Sequence, residues 1–395
     1  MNGFIKIISG LVFFIILFHI SIVKIKTPPS VNPVYSYEIK TKKKLATSVD
    51  YNSHEHAFHL PVSGNFNASH QYEIYKLSPS GDLKLSFKMP LDKDIPKKEN
   101  PEYTPDKEGF VTYPENGSFY LWYPRLGTHT FFYDQDGQFL WSRKSSHYMK
   151  AFPSGKYILS MTGDNSRAFF LLPDLSVMGS VEGTLLINYQ FSQEAPSDDA
   201  MQVCLEFLDG DIVFYNPAKK NEVRVSTGAL TKSIACNFKK LYVAVQTESP
   251  DKNTAVDLLK LGKIDSSGKN ASINWKFSLP LLDRYTSTLP VGLHDDYGII
   301  LLPEKNSLMV LAFDMSGKIL FQSILAKDDP AEANIEEWRI YPAKKGLVAW
   351  NSNGIYIFNP QKIYEKKMSI DNVAIDGDEI FIQNRDQILA LQLTE

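Results

Sequence analysis

Cysteine is nearly absent from this chain of 395 residues, with only Cys204 and Cys236. Two cysteines exclude a disulfide-dense scaffold, and their arrangement does not suit a zinc site. One disulfide is the most they can make. Each stands in an apolar strand pattern, Val203-Cys204-Leu205 and Ile234-Ala235-Cys236, so two buried thiols is the favoured reading and a bond between them is left open. An excess of one charge is missing as well. The formal net charge is -3, too small a field to draw the molecule onto nucleic acid, which is therefore not an expected partner. The chain also has no Gly-rich phosphate loop, no Gly-x-Ser-x-Gly elbow and no His-Glu-x-x-His, so the common nucleotide, hydrolase and metalloprotease chemistries have no motif to stand on. No cofactor is expected.

What is present is a globular composition, with 43% hydrophobic and 22% charged residues and ordinary Gly and Pro usage. The chain is long enough for a large core. Its one long apolar run is Ile7 to Val23, interrupted only by Ser9, Gly10, His19 and Ser21 and bounded by Lys6, Lys24 and Lys26. That length suits the short end of a membrane span. A cleavable signal would continue into small residues of an Ala-x-Ala kind, whereas Lys24-Ile-Lys26-Thr-Pro-Pro-Ser30 follows here, which favours an uncleaved anchor. The expected organisation is a transmembrane segment over 1–26, a linker over 27–33 and one domain over 34–395. Charge bias conflicts with export, because Lys24, Lys26, Lys40, Lys42, Lys43 and Lys44 lie on the C-terminal flank. A single anchor before a large β-domain is the usual plan of an extracytoplasmic protein, and that placement, periplasmic in a bacterium, is the expectation.

After the linker the apolar residues come in short runs of four to eight separated by Gly, Pro, Asn and Asp, the pattern of an all-β domain. A strand, a turn and a second strand recur. The unit runs from Tyr72 through Ser78-Pro-Ser-Gly81 to Phe87, and from Phe131 through Asp134-Gln-Asp-Gly137 to Trp141. It returns at Phe169 to Val177, Ile212 to Val223, Leu258 to Trp275, Met309 to Phe321 and Ile355 to Tyr364. Seven hairpins at intervals of roughly 40 to 55 residues match the blade period of a β-propeller. Two more strand-like runs precede each hairpin, giving four strands per blade. After the last hairpin only three runs remain, at Val373, Glu379 and Ile388, and Tyr35-Ser-Tyr-Glu-Ile39 supplies the missing fourth from the other chain end. That pairing would close the ring and remove its open sheet edges. It predicts eight blades of about 45 residues, with seven as the alternative. In this arrangement Leu45 to Val49 is the first strand of the first blade.

The Asp-x-x-Gly and Ser-x-x-Gly turns, with a Trp or Phe four residues on, resemble the repeats of bacterial quinoprotein-type propellers, a WD40-like group. Quinoprotein repeats carry a Trp that docks one blade on the next, and Trp141 and Trp275 stand at that place. The remaining blades lack it, so the resemblance does not imply bound quinone. The stretch Asp134 to Trp141, followed by His147 and Pro153-Ser-Gly155, also resembles a blade junction of the arylsulfotransferase family, which would make His147 a catalytic nucleophile. His54 and His56 would share a strand face, as a metal site requires, although no Cys or dense carboxylate set accompanies them. Asp134-x-Asp136-Gly137 reads as a hairpin turn, since the further ligands and closing Glu of a calcium loop are missing.

The longest connections are Leu91 to Lys107, Pro280 to Tyr285 and Ala326 to Glu337 between blades, and Thr247 to Lys252 between a second and a third strand. All four would leave one face, and only Ser192 to Asp199 the other. Insertions gathered on one rim mark a binding face. Tyr103, Asp106, Leu282, Arg284, Tyr285, Asp328, Asp329 and Glu336 are its candidate contacts, of a composition suited to a protein or peptide partner. The expected function is a membrane-anchored, non-enzymatic scaffold. The alternative is a channel-mouth enzyme or ligand sensor, arylsulfotransferase-like or metal-dependent.

Overall fold

A computed structural model describes residues 33–38, 50–52, 57–63, 72–77, 83–88, 109–112, 118–124, 129–136, 138–144, 149–152, 154–192, 200–248, 256–266, 271–281, 288–304, 307–326, 334–343, 345–359, 362–376, 379–384 and 387–392. These residues form an all-β propeller. The strands pair into eight four-stranded antiparallel sheets. In chain order they are sheet 1 (50–88), sheet 2 (109–144), sheet 3 (149–182), sheet 4 (186–226), sheet 5 (231–280), sheet 6 (291–326), sheet 7 (339–367) and sheet 8 (372–392 together with Pro33–Glu38). Each of the first seven is a meander in which sequence order equals spatial order. In sheet 8 the strand Pro33–Glu38 lies outermost and pairs antiparallel with Gln387–Gln392, Tyr35 facing Ala390 and Tyr37 facing Ile388.

The seven recurring hairpins are the third and fourth strands of sheets 1 to 7. Their turns explain why the sequence repeats there. Asp134 Oδ1 accepts from the amides of Asp136 and Gln138 at 2.9 and 2.8 Å, and Asp314 Oδ1 accepts from those of Ser316 and Lys318, both at 2.9 Å. Asp174 does the same for Ser176 at 2.9 Å. A short carboxylate that bonds its own backbone two residues on holds a tight reversal. Asp134 is thus a turn residue, as its sequence context indicates, and its Oδ1 is committed to the chain's own amides. The first strand of sheet 1 is Asp50–Asn52; Leu45 to Val49, the run read as that strand, lies outside the described residues.

The core is made of seams between neighbouring sheets. Phe119, Phe132, Ile158 and Leu171 join sheets 2 and 3, and Leu159, Phe170, Leu205 and Val213 join sheets 3 and 4. Sheets 4 and 5 share Phe214, Val225, Val243 and Ile264. A larger cluster runs from Leu261 through Leu301 and Phe313 to Leu347 and Tyr356 across sheets 5, 6 and 7, and Val348, Ile357, Ile380 and Leu391 join sheets 7 and 8. Strands buried on both faces read as continuous apolar runs, which is why Tyr297–Glu304 and Gly346–Asn351 have little polar alternation. Each fully buried Leu, Ile, Val or Phe contributes about 1.5–3 kcal/mol.

The innermost strands set the ring. Leu186–Phe191 approaches Thr231–Asn237, which approaches Val291–Leu293, then Arg339–Ala343, then Asn372–Asp376, and that last strand approaches Asp50–Asn52 of sheet 1. The end of the chain therefore returns to its beginning. Side-chain latches cross the seams as well. Trp141 Nε1 donates to the Pro173 carbonyl at 3.2 Å, so the tryptophan that the sequence marks as a docking residue does link sheet 2 to sheet 3. The buried Tyr297 hydroxyl donates to the Phe358 carbonyl and accepts from the Leu347 amide at 3.1 Å, tying sheet 6 to sheet 7, and burial pushes its phenol well above the usual range.

One expectation is corrected. Cys204 and Cys236 are not two buried thiols but a disulfide between sheets 4 and 5. They are 32 residues apart in sequence, but the seam brings the second strand of one sheet against the first strand of the next. Beside them the Gln190 side chain donates to the Ile234 carbonyl at 2.7 Å and accepts from the Cys236 amide at 3.0 Å. Among the described residues no helix is long and apolar enough to cross a membrane; the apolar run from Ile7 to Val23 lies outside them.

Candidate binding face

Antiparallel order fixes which connections share an end of the propeller. The links from first to second and from third to fourth strand leave one end; those from second to third and from one sheet to the next leave the other. The connections 89–108, 281–290 and 327–338 follow fourth strands and lead to the next sheet, and 249–256 joins a second strand to a third. All four open from one end. The connection 192–202 joins a first strand to a second and opens from the opposite end.

Of the predicted contacts, Tyr103, Asp106, Leu282, Arg284, Tyr285, Asp328 and Asp329 lie outside the described residues, as do His54, His56 and His147. Glu336 is described. It sits exposed in a short 3-10 turn, Ile335–Glu337, pinned by buried Ile335 and Trp338. The Glu336 carbonyl accepts from Arg339 Nη1 at 2.7 Å, and Glu337 takes bonds from Asn334 at 2.9 Å and Ser352 at 3.2 Å. The turn presents its carboxylates on a fixed backbone. Among the described residues no group of three or more His, Cys, Asp and Glu is placed to hold a metal ion.

The described part of the long-connection end is best seen at two adjacent seams. Where sheet 5 meets sheet 6, Asp257 is fully buried and receives Lys232 Nζ at 3.0 and 3.2 Å and Gln246 Nε2 at 2.8 Å. Gln246 Oε1 accepts from the Leu289 amide at 2.9 Å, and Ser233 Oγ donates to the Leu289 carbonyl at 2.7 Å. A buried charge surrounded in this way has its desolvation offset by direct bonds. The chain that enters sheet 6 is thereby clamped to sheet 5.

Where sheet 4 meets sheet 5, the position matching Gln246 is held by Glu206. Both follow the same irregularity, a register shift between Leu186 and Asn188 in sheet 4 and between Thr231 and Ser233 in sheet 5. Glu206 is 1% exposed, and burial raises its carboxyl above the usual range despite the nearby Thr231 and Asn188 side chains. Among the described residues neither its Oε1 nor the buried hydroxyl of Thr247 has a hydrogen-bond partner. Above this seam the turn at Leu208 to Gly210 is held from two sides. The Leu208 amide donates to the Leu185 carbonyl at 2.8 Å, and the Asp209 amide to Thr184 Oγ1 at 3.3 Å. Gly210 has φ +87°, a region that a side chain disfavours, and a Cβ there would collide with the Ala229 carbonyl oxygen.

The sequence reading missed this seam. Its signal was present in Val203-Cys-Leu-Glu-Phe207, where one carboxylate interrupts an otherwise apolar run, but such a run does not show which face of the strand meets another sheet. The face can bind a partner through exposed groups on rigid turns.

No protein-family model and no curated protein sequence matches this chain. Its structure is similar to that of Sqt1 from Saccharomyces cerevisiae, with a TM-score of 0.57 and 11% identity, covering 93% of this chain and 100% of that one. It is also similar to the computationally designed Ika8 protein, with a TM-score of 0.54 and 10% identity over 90% of this chain and 98% of that one. At such identities the likeness is one of fold. The likeness supports the propeller but does not extend to the quinoprotein or arylsulfotransferase features of the sequence.

Proposed function

We propose that this protein is an eight-bladed propeller, closed by the strand Pro33–Glu38, that acts as a non-enzymatic scaffold binding a protein partner at its long-connection end. The observation that carries the reading is topological: of the connections of eight or more residues, six open from one end and one from the other. The ring count is supported by the pairing of Pro33–Glu38 with Gln387–Gln392 and by the approach of Asn372–Asp376 to Asp50–Asn52. Propellers present loops on a rigid ring, so partner choice can vary with the connections while the core stays fixed.

In this proposal the apolar run from Ile7 to Val23 anchors the propeller to a membrane, with the domain on the extracytoplasmic side, periplasmic in a bacterium. The disulfide between Cys204 and Cys236 supports that side, because such bonds persist in oxidising compartments. The lysines flanking the run argue the other way, and accessibility decides between them. A membrane-impermeant protease added to intact cells or spheroplasts should cut the domain; complete protection until lysis would place it in the cytoplasm.

The binding face is tested by mild crosslinking and pull-down from membranes of the native host. Partners captured by the intact protein should be lost when 91–107 and 326–337 are shortened and kept when 193–199 is shortened. Loss only in the last variant would move the site to the opposite end, and an unchanged partner set in all variants would remove the face from the proposal.

A further inference from the structure

We infer that the end of the seam between sheets 4 and 5 is a docking site for a short basic segment of a partner protein carrying an aliphatic or aromatic anchor. This deepens the scaffold reading and rests on it. Large exposed apolar side chains among the described residues are few, and most stand singly: Leu140, Val177 and Ile324 on outermost strands, Tyr341 on an inner one. Ile187, Leu208 and Leu230, at 40%, 43% and 53% exposure, are different because they share one seam and one end. Leu186 faces Phe207 across the first two strands of sheet 4, and the register shift that follows leaves Ile187 with no cross-strand partner. Leu208 follows Phe207 in the turn. Gly210 of that turn packs on Ala229, so the segment ending in Leu230 passes beside the same turn on its way into sheet 5. The backbone therefore gathers the three residues at one rim. Scattered apolar residues need no explanation, but a cluster on pinned turns at the end that carries the long connections does.

Charge selects the occupant. On this stretch of rim Asp164, Glu182, Asp209, Asp211 and Glu248 stand against Arg167, Arg224 and Lys232, and the buried Asp257 lies beneath Lys232. Each of those cations is already engaged: Arg167 with Glu182, Arg224 with Asp211 at 3.1 Å and Glu222 at 2.8 Å, and Lys232 with Asp257 at 3.0 Å and Glu248 at 3.5 Å. Among the described residues Asp164 and Asp209 meet no cation, only local amides and hydroxyls, and bonds from Thr162 and Ser166 lower the Asp164 carboxyl to about 2. Asp164 therefore holds its negative charge at any physiological pH. A segment with Lys or Arg on either side of a hydrophobic anchor complements this rim, whereas an acidic segment is repelled. The turns are fixed before binding, so little ordering is needed on this side.

The test is a selection of random twelve-residue peptides displayed on phage against the full-length protein in detergent micelles, with the double variant Leu208→Ser/Leu230→Ser as the counter-target. Both proteins are checked by thermal melting, since exposed substitutions of this kind leave stability nearly unchanged. The expected result is enriched peptides of net positive charge with an aliphatic or aromatic residue. Synthetic copies should bind the wild type at least ten times more tightly than the variant and weaken as salt rises. Enrichment of acidic or uncharged peptides, equal binding to the variant, or no enrichment at all would overturn the inference. If crosslinked partners are lost on shortening 91–107 and 326–337 yet survive the double substitution, the scaffold reading stands and this site falls alone.

Discussion

The seam between sheets 5 and 6 and the seam between sheets 4 and 5 are built on the same plan and finished differently. In the first, Gln246, Asp257, Lys232 and Ser233 bond one another or the Leu289 backbone. In the second, Glu206 takes the place of Gln246, its Oε1 and the buried Thr247 hydroxyl lack partners among the described residues, and a disulfide crosses the seam. The second is also the seam whose end exposes three apolar side chains. One geometry thus supports two uses. Where the polar groups complete one another the seam is a clamp; where they do not, a covalent bond holds the sheets and the rim above is the proposed docking site.

Removing the centre of the clamp should have the largest effect. Asp257→Ala leaves the ammonium of Lys232 and the amide of Gln246 without their main partner, a loss of about 3–5 kcal/mol in denaturant unfolding. Asp257→Asn should cost less, because it keeps an acceptor for both. The disulfide comes next. Cys204→Ala/Cys236→Ala should lower stability by about 2–4 kcal/mol, and a reducing agent should lower the wild type by a similar amount while leaving the double variant unchanged. If reduction has no effect, sheets 4 and 5 are held by packing and by Gln190.

Glu206→Gln should act in the opposite direction and more weakly. Burial raises the Glu206 carboxyl in the folded state, so the folded protein holds a proton that the unfolded chain releases. The stability of the wild type is then fully present below the ordinary carboxylate value. It falls as pH rises from there to the raised folded value and levels off above it. The Gln variant escapes that decline. At neutral pH it should be more stable by roughly 1 kcal/mol, and the two proteins should converge at low pH in melts run across the range. A constant difference at every pH would show that Glu206 is not the titrating group. The smallest effect on stability is expected for Leu208→Ser, within about 0.5 kcal/mol, although it should weaken capture of the basic peptide.

The sheets were legible in the sequence because their turns repeat a chemical device. Asp134, Asp174 and Asp314 each hold a reversal by bonding their own backbone, and the apolar strands beside them, such as Ser307–Asp314, have no other reading. The N-terminal strand was also legible, since three runs after Asn372 left one place to fill. The seams were not. Glu206 and Gln246 are ordinary polar residues in strand patterns, and only packing shows that Gln246 reaches the Leu289 backbone while Glu206 leaves one carboxyl oxygen without a partner among the described residues. The cysteines illustrate the same limit: their apolar surroundings mark them as buried, but the bond depends on two strands from different sheets meeting. The predicted contacts Tyr103, Asp106, Leu282, Arg284, Tyr285, Asp328 and Asp329 come from connection length alone, and the described rim adds Ile187, Leu208 and Leu230, which no length signal marks.

The most direct test of the binding face is site-specific photocrosslinking in the native host. A photoreactive amino acid is placed in turn at Leu208 and Leu230 on the long-connection end and at Lys219 and Lys239 on the opposite end. The account predicts adducts of defined mass from the first pair only, with the same partner from both positions. Adducts from Lys219 and Lys239, with none from Leu208 and Leu230, would contradict it.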